Sequence, residues 1–311
     1  MSNTTILKNQ RIFITGGAGF LGKALIDRLY DYNEICIYSR DEAKHYFLKK
    51  TYPNIRCIIG NIVDQSKLIR STKGYNVGIF AASMKQISAC DENPIESINT
   101  ICLGAINSRI AAEDNNFESA CFISTDKACE ATTIYGACKY AAEQSFIVNK
   151  PSVRLSACRY GNVTNSTGSV IPLILDSIKN NRELTLYSSS MTRFMINIKE
   201  AVDLVEYSLL NASGVVVVPK LKSFLVKDMF DLYAENYGLK YVLGQPRVGE
   251  KLHELMVGKE EINRTTETDQ YMLISPDKNT KNPIMSHPYS SDRYIMDKKK
   301  LYTNLLDCAL I

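Results

Sequence analysis

Tyr135 and Lys139 are the residues of this sequence best suited to exchange a proton with an alcohol. A spacing of four residues places both side chains on one face of a helix. Free tyrosine has a pKa near ~10 and is a poor base at neutral pH, but a cation one turn away stabilises the phenolate. The pair can therefore take the proton of a hydroxyl group while a hydride leaves the same carbon.

An acid and a possible base stand next to each other upstream of this pair, in the segment Ser124-Thr125-Asp126-Lys127. The apolar run Ala120–Ser124 predicts a strand that ends at this segment. Open α/β sheets bind ligands at the carboxyl ends of their strands, so Asp126 and Lys127 are candidates for acid–base chemistry. The alternative is a surface ion pair in a loop.

A glycine-rich turn near the start of the chain has the form expected of a phosphate cradle. Gly16, Gly19 and Gly22 follow the predicted strand Arg11–Thr15 and open the predicted helix Gly19–Tyr32. Unpaired N–H groups and the dipole at a helix N-terminus attract an anion, and this glycine spacing is a variant of the dinucleotide fingerprint. We expect the pyrophosphate of a dinucleotide to bind here. A purely structural turn is the alternative.

The second predicted strand, Glu34–Tyr38, ends at residues that select between two cofactors. An acidic residue at this place binds the ribose 2′-hydroxyl of NAD, and a basic residue binds the 2′-phosphate of NADP. Ser39 and Arg40 offer a hydroxyl donor and a guanidinium group, whereas Asp41 and Glu42 can cap the next helix. The sequence favours NADP over NAD, with Arg40 as a solvated residue stacked on the adenine being the alternative.

These candidates are distributed along alternating strand and helix signals. Predicted strands Ile55–Ile59, Val77–Ala81 and Val153–Cys158 complete the pattern, which indicates a Rossmann-type, doubly wound parallel sheet with a smaller C-terminal α/β domain. We assign residues 1–163 and about 195–219 to the cofactor-binding domain, because the β-branched run Val215–Val218 reads as a buried strand. Residues of about 164–194 and 220–311 form the expected substrate-binding domain.

Composition excludes several classes of protein. The chain has 311 residues, 45% hydrophobic and 23% charged, which is typical of a globular protein, and a net charge of +4 gives no nucleic-acid footprint. Nine scattered cysteines without a C-x-x-C pair indicate reduced thiols in the cytoplasm and no metal site. A polar N-terminus and the lack of a long apolar run predict neither a signal peptide nor a membrane span.

Further motifs identify a family. They comprise Tyr38-Ser39-Arg40-Asp41-Glu42, Ala81-Ala82-Ser83-Met84-Lys85, Ser124-Thr125-Asp126-Lys127-Ala128, Tyr135-Gly136, Arg159-Tyr160-Gly161-Asn162-Val163, Gly168-Ser169-Val170-Ile171-Pro172, Met191-Thr192-Arg193-Phe194 and Arg247-Val248-Gly249-Glu250-Lys251-Leu252-His253-Glu254. With them the chain resembles the soluble, configuration-inverting UDP-N-acetylglucosamine 4,6-dehydratases, which are extended short-chain dehydrogenase/reductases of the polysaccharide-biosynthesis type.

The resemblance implies a set of site residues. The implied catalytic residues are Thr125, Asp126, Lys127, Tyr135 and Lys139. The implied cofactor-binding residues are Gly16, Gly19, Phe20, Leu21, Gly22, Ser39, Arg40, Asn61, Ile62, Ala81, Ala82, Lys85, Ser124, Tyr160 and Gly161. The implied substrate-binding residues are Lys85, Asn162, Ser169, Val170, Pro172, Thr192, Arg193, Arg247 and Glu250.

The resemblance also implies a reaction and an assembly. Tyr135 would deprotonate the 4-hydroxyl of UDP-N-acetylglucosamine, Lys127 would remove the carbon-5 proton, and Asp126 would protonate the leaving 6-hydroxyl. We expect burial beside the nicotinamide to lower the pKa of Lys127. A homo-oligomer would pair through helices at about Pro94–Glu113 and Gly136–Asn149. A UDP-sugar 4-epimerase, which needs only Tyr135 and Lys139, and a non-catalytic dinucleotide sensor are the alternatives.

Overall fold

A nine-stranded, mostly parallel sheet forms the centre of the protein. The computed structural model describes residues 7–148, 152–166, 169–245, 249–276 and 285–311. The strands are β1 Arg11–Thr15, β2 Glu34–Ser39, β3 Arg56–Ile59, β4 Val77–Phe80, β5 Ser119–Ile123, β6 Arg154–Cys158, β7 Asn162–Val163, β8 Glu183–Leu186, β9 Thr192–Ile196, β10 Val215–Pro219, β11 Ser223–Leu225, β12 Lys240–Leu243, β13 Leu255–Val257, β14 Thr265–Glu267, β15 Tyr271–Ile274 and β16 Tyr289–Ser290.

The main sheet has the order β14-β15-β10-β6-β5-β4-β1-β2-β3. All neighbours from β3 to β10 are parallel, and β15 and β14 add an antiparallel edge. Parallel strands covered on both faces must be apolar throughout, which is why β4 and β5 are buried along their whole length. The predicted Rossmann-type fold is confirmed.

The described residues form eleven α-helices, and two groups of them cover this sheet. They are α1 Phe20–Leu29, α2 Glu42–Thr51, α3 Gln65–Ser71, α4 Ile87–Glu92, α5 Pro94–Ser97, α6 Gly104–Asp114, α7 Ile134–Ile147, α8 Val170–Lys179, α9 Ile198–Asn211, α10 Val226–Tyr237 and α11 Lys298–Asp307. Helix α1 packs against α9, while α3, α6 and α7 pack side by side. A π-helical segment, Ile98–Leu103, joins α5 to α6. None of the helices in the described ranges is both long and apolar enough to cross a membrane.

The C-terminal part of the chain contributes to two hydrophobic cores. A second core lies between α8, α10 and α11 and includes residues of the small sheets β11-β9-β7 and β12-β8, whereas the small sheet β13-β16 packs on the main core. Strands β14 and β15 instead extend the main sheet, although they lie within the range 220–311 that the sequence assigns to the second domain. Their antiparallel pairing covers β10, which would otherwise be an exposed edge.

Candidate active site

The carboxyl ends of the parallel strands open into one cleft of about 950 Å³. At its floor, the turn from β1 to α1 contains Gly16, whose φ of +68° suits glycine and whose missing side chain would lie 2.8 Å from the Ala82 nitrogen. Gly19 precedes α1 without a side-chain cap, so the first N–H groups of the helix remain available. This turn fits the pyrophosphate of a dinucleotide.

The end of β2 forms the next wall of the cleft. Asp41 caps α2 by accepting a hydrogen bond from the Lys44 N–H at 2.9 Å, as the sequence allowed. Ser39 and the exposed Arg40 line the cleft, and the Ser39 hydroxyl lies 2.7 Å from Nε2 of His45. His45 is buried, which lowers its pKa, and no sequence pattern singles it out. This wall offers a hydroxyl and two cations, Arg40 and Lys44, to an anionic group.

The other residues expected to bind the cofactor also line the cleft. They are Phe20, Leu21, Gly22, Asn61, Ile62, Ala81, Ala82, Lys85, Ser124, Tyr160 and Gly161. They follow the ends of strands β1, β3, β4, β5 and β6. Burial lowers the pKa of Lys85. The topology therefore brings residues from five strand ends to one place.

A tight turn after β5 holds the acid–base candidates. Thr125 caps the short 3₁₀ turn Asp126–Ala128, and its hydroxyl donates to Asp126 Oδ1 at 2.9 Å. Lys127 Nζ donates to the same oxygen at 3.0 Å. Asp126 is fully buried, and this burial raises its pKa. The negative charge of Glu254 also raises the pKa of Asp126, whereas the positive charge of Lys127 lowers it. The pKa of Asp126 therefore lies above its usual value of 3.8.

Helix α7 delivers Tyr135 and Lys139 to the cleft. Gly136 allows α7 to pack on the turn, because a side chain there would overlap the Lys127 carbonyl oxygen. Burial raises the pKa of Tyr135 to about 12, and the charge of Lys127 opposes this shift. Burial lowers the pKa of Lys139 to about 8, and its Nζ donates to the Ile123 carbonyl at 2.7 Å. The charge of Lys127 thus favours the ionised tyrosine, and the action of Lys139 on Tyr135 stays a prediction.

Glu254 joins this set from the C-terminal part of the chain, and sequence reasoning did not select it. Its Oε1 lies 3.4 Å from Lys127 Nζ and 3.5 Å from Arg193 Nε. Burial lowers the pKa of Lys127, but Asp126 and Glu254 outweigh it and the pKa is raised. The predicted lowering of the Lys127 pKa is wrong for this structure because two carboxylates, rather than one, face the amine.

A buried ion network behind the cleft was also not predicted. Arg159 is fully buried between Glu143 of α7 and Glu261, and donates to both Glu261 oxygens at 2.6 and 2.9 Å. Glu143 in turn accepts from the Ser124 hydroxyl at 2.7 Å. This network connects the end of β6 and helix α7 to the segment that follows β13.

The expected substrate residues divide into three groups. Lys85, Asn162, Ser169, Arg193 and Glu250 line the cleft. Val170, Pro172 and Thr192 do not: Val170 packs against the second core, and the Thr192 hydroxyl bonds to Nδ1 of His253 at 2.8 Å and to Ser291 at 2.6 Å. Arg247 lies outside the described residues.

Unsatisfied polar atoms collect in this cleft. In the described part of the chain, seven buried side-chain oxygen or nitrogen atoms lack a hydrogen-bond partner, and five of them belong to cleft residues. These five are Asp126 Oδ2, Asn162 Oδ1, Ser169 Oγ, Glu250 Oε2 and Glu254 Oε2. Buried polar atoms are normally paired, so the cleft is built for a strongly polar ligand. Within the same ranges, no group of His, Cys, Asp and Glu side chains is arranged to hold a metal ion.

Fold and site together define an extended short-chain dehydrogenase/reductase fold with a cleft for a polar ligand. The model of the polysaccharide biosynthesis protein family matches residues 12–276, and the chain belongs to this family. The chain is 34% identical over 283 residues to the UDP-N-acetylglucosamine 4,6-dehydratase (inverting) of Campylobacter jejuni, covering 87% of this chain and 84% of that protein.

Epimerases are similar to the chain as well. It is 33% identical over 288 residues to the UDP-glucose 4-epimerase of Rickettsia massiliae, covering 86% and 84% of the two chains. The solved structure of Pen from Bacillus thuringiensis superposes with a TM-score of 0.90 at 27% identity, covering 98% of this chain and 99% of that one. The chain is thus related to the sugar-nucleotide dehydratases and epimerases of the short-chain dehydrogenase/reductase superfamily.

Proposed function

We propose that the protein is an NADP-dependent UDP-N-acetylglucosamine 4,6-dehydratase that inverts carbon 5. The observation that carries the proposal is the set of Asp126, Lys127 and Glu254 beside Tyr135, in which both carboxylates are buried and the amine is half-buried. Hydride transfer at carbon 4 needs only Tyr135 and Lys139, whereas elimination of water needs an additional base and an additional acid. The similarity to the inverting dehydratase of Campylobacter jejuni supports the same reaction.

The cleft residues would hold NADP, which would supply the hydride acceptor for carbon 4 and the hydride donor for carbon 6. Its pyrophosphate would lie on the first turn of α1, and its 2′-phosphate would meet Ser39, Arg40 and Lys44. Tyr135 would remove the proton of the 4-hydroxyl, with Thr125 as hydrogen-bond donor to the 4-oxygen. The ketone at carbon 4 makes the carbon-5 proton acidic.

Lys127 must be neutral to remove that proton, and Asp126 must be protonated to release the 6-hydroxyl as water. A single proton transfer along the 3.0 Å hydrogen bond from Lys127 to Asp126 produces both forms at once. Elimination then returns one proton to Lys127 and removes one from Asp126, so the pair ends as it began. Reprotonation of carbon 5 from the opposite face would give UDP-2-acetamido-2,6-dideoxy-β-L-arabino-hex-4-ulose.

To test the proposal, the protein is incubated with UDP-N-acetylglucosamine in deuterated water, and the sugar is followed by NMR. We expect a new carbon-6 methyl doublet in the NMR spectrum, with deuterium at carbon 5. A UDP-sugar 4-epimerase, which the similarity to the Rickettsia massiliae enzyme favours, would instead exchange the configuration at carbon 4 without forming a methyl group. Absence of any turnover would point to a dinucleotide sensor.

We also propose a homo-oligomer that pairs through the helices of the segment Pro94–Asp114 and α7. Large apolar side chains are exposed along these helices, among them Ile95, Ile98 and Ile106, and Ile95 is 75% exposed. Such a face is normally covered by a partner. Sedimentation analysis should give a dimer or larger species that Ile95→Asp shifts towards the monomer. A monomeric wild-type protein would contradict the proposal.

A further inference from the structure

Five side chains of alternating charge form a row along the cleft. Asp126 and Lys127 are 3.0 Å apart, Lys127 and Glu254 3.4 Å, Glu254 and Arg193 3.5 Å, and Arg193 and Glu250 3.2 Å. Glu254 occupies the centre of the row. It connects the turn after β5, which carries the acid–base pair, to strand β9 and the segment before β13.

The position of Glu254 is fixed by its backbone. Its N–H donates to the Ser291 hydroxyl at 2.8 Å, and its carbonyl accepts from the Ser291 N–H at 2.9 Å. The side chain is only 4% exposed, and Oε2 has no hydrogen-bond partner in the described ranges. Desolvating a carboxylate is unfavourable, so a buried charge with one free oxygen at this place suggests a functional role.

We propose that Glu254 is a positioning residue that holds the Lys127 amine beside Asp126 and sets the pH range over which this pair exchanges its proton. The inference rests on the proposed dehydratase function. Without Glu254, Lys127 would have Asp126 as its sole carboxylate neighbour among the ion pairs of the described chain. The amine would then be oriented by the very group that must also serve as the acid.

The charges around Glu254 keep it ionised. Lys127 faces it from the turn after β5, Arg193 from β9, and Lys251 from its own segment; despite burial, which raises the pKa of Glu254, these cations lower it. Asp126 and Glu250 are the acidic groups nearest to this set of cations. Glu254 therefore contributes a constant negative charge, which raises the pKa of both Asp126 and Lys127.

This charge has a measurable effect on the rate. The active form of the Asp126–Lys127 pair carries one proton shared between the two side chains. At low pH both side chains are protonated, and this active form is lost. The acid limb of the rate profile therefore reports the pKa of Asp126. Removing the negative charge of Glu254 lowers that pKa, so the limb must move to lower pH, by about one unit for a charge at this range.

Glu254→Gln keeps the size of the side chain and removes its charge. Initial rates of methyl formation from UDP-N-acetylglucosamine are measured across the acidic and neutral range, together with NADP binding by fluorescence. We expect an acid limb about one unit lower, a reduced kcat on the plateau, and unchanged KM and NADP affinity. Glu260→Gln is the matched control, because Glu260 is exposed and lies outside the cleft. It should keep the wild-type profile.

Glu254→Asp provides a second variant. Shortening the side chain by one methylene moves the carboxylate away from Lys127, so the acid limb should move to lower pH by a smaller amount. This variant tests the proposal if the glutamine variant does not fold. An acid limb that stays at the wild-type pH in a folded variant overturns the inference while leaving the dehydratase intact. If the wild-type protein forms no methyl product, the proposed function fails and the inference fails with it.

Discussion

Replacing Arg159 should destabilise the protein strongly, and the structure allows the size of the effect to be worked out. The Arg159 guanidinium group is fully buried and forms ion pairs with two buried carboxylates, Glu143 and Glu261. It also donates a hydrogen bond to the Met256 carbonyl at 2.9 Å. Removing one member of a buried ion pair typically costs about 3–5 kcal/mol, because the remaining charge loses its partner. Arg159→Met leaves two such charges, so the upper end of about 5 kcal/mol is expected.

Urea or thermal unfolding of the whole chain measures this loss. With an unfolding entropy of about 2.1 cal/mol/K per residue, a loss of about 5 kcal/mol lowers the Tm of this 311-residue chain by roughly 8 °C. Arg182→Met is the control, because the Arg182–Asp176 pair is exposed on both sides and surface pairs contribute at most ~1 kcal/mol. If Arg159→Met lowers the Tm no more than Arg182→Met does, the network does not stabilise the fold as argued.

The same variant should show a characteristic pH dependence. Burial raises the pKa of Glu261, but Arg159 outweighs this effect and the pKa is lowered below its usual 4.5. A lowered carboxyl pKa stabilises the folded state above the unfolded-state pKa, and this contribution is lost as the pH falls through the folded-state value. The difference in Tm between wild type and Arg159→Met should therefore be larger at neutral pH than near pH 4. A difference that grows on acidification would refute the assignment.

Three further variants test the cleft. Lys127→Met should reduce the rate of dehydration by about 10²–10⁴-fold while NADP stays bound. If the variant forms the methyl product at nearly the wild-type rate, Lys127 is not the base. Gly16→Ala forces a side chain onto a backbone with φ of +68°, so NADP binding measured by fluorescence should be lost, and wild-type affinity would contradict the cradle. His45→Ala removes the partner of the Ser39 hydroxyl, and one lost hydrogen bond of about 1 kcal/mol should weaken NADP about fivefold. Equal weakening of NAD in the same titration would show that Ser39 does not contact the 2′-phosphate.

The sequence was sufficient for the parallel sheet because its strands are signalled locally. Runs such as Val215–Val218 are apolar on both faces, and only a buried parallel strand requires that pattern. The continuous helix expected over Pro94–Glu113 was less accurate, since the structure has a π-helical segment at Ile98–Leu103 between α5 and α6. A change in helical period over six residues leaves no clear signal in the apolar spacing.

Charged residues that become buried could not be recognised in this way. Glu254, Arg159 and Glu261 look like surface residues in the sequence, and their burial depends on contacts between distant parts of the chain. The sign of the Lys127 pKa shift depended on the same contacts. Desolvation alone predicts a lowered pKa, and the charges of Asp126 and Glu254 together reverse the shift.

The long-range contacts also explain how a site made of separate segments keeps a fixed geometry. The segment 254–261 is attached to the main sheet at both ends, through Glu254 to Lys127 and through Glu261 to Arg159. Arg159 binds Glu143 on α7, the helix that carries Tyr135. Any displacement of α7 would therefore strain the ion network and the packing of Gly136 on the Lys127 carbonyl together. The core therefore sets the spacing between Tyr135 and the Asp126–Lys127 pair, so sequence changes at the cleft rim can alter its ligand without displacing the proposed catalytic groups.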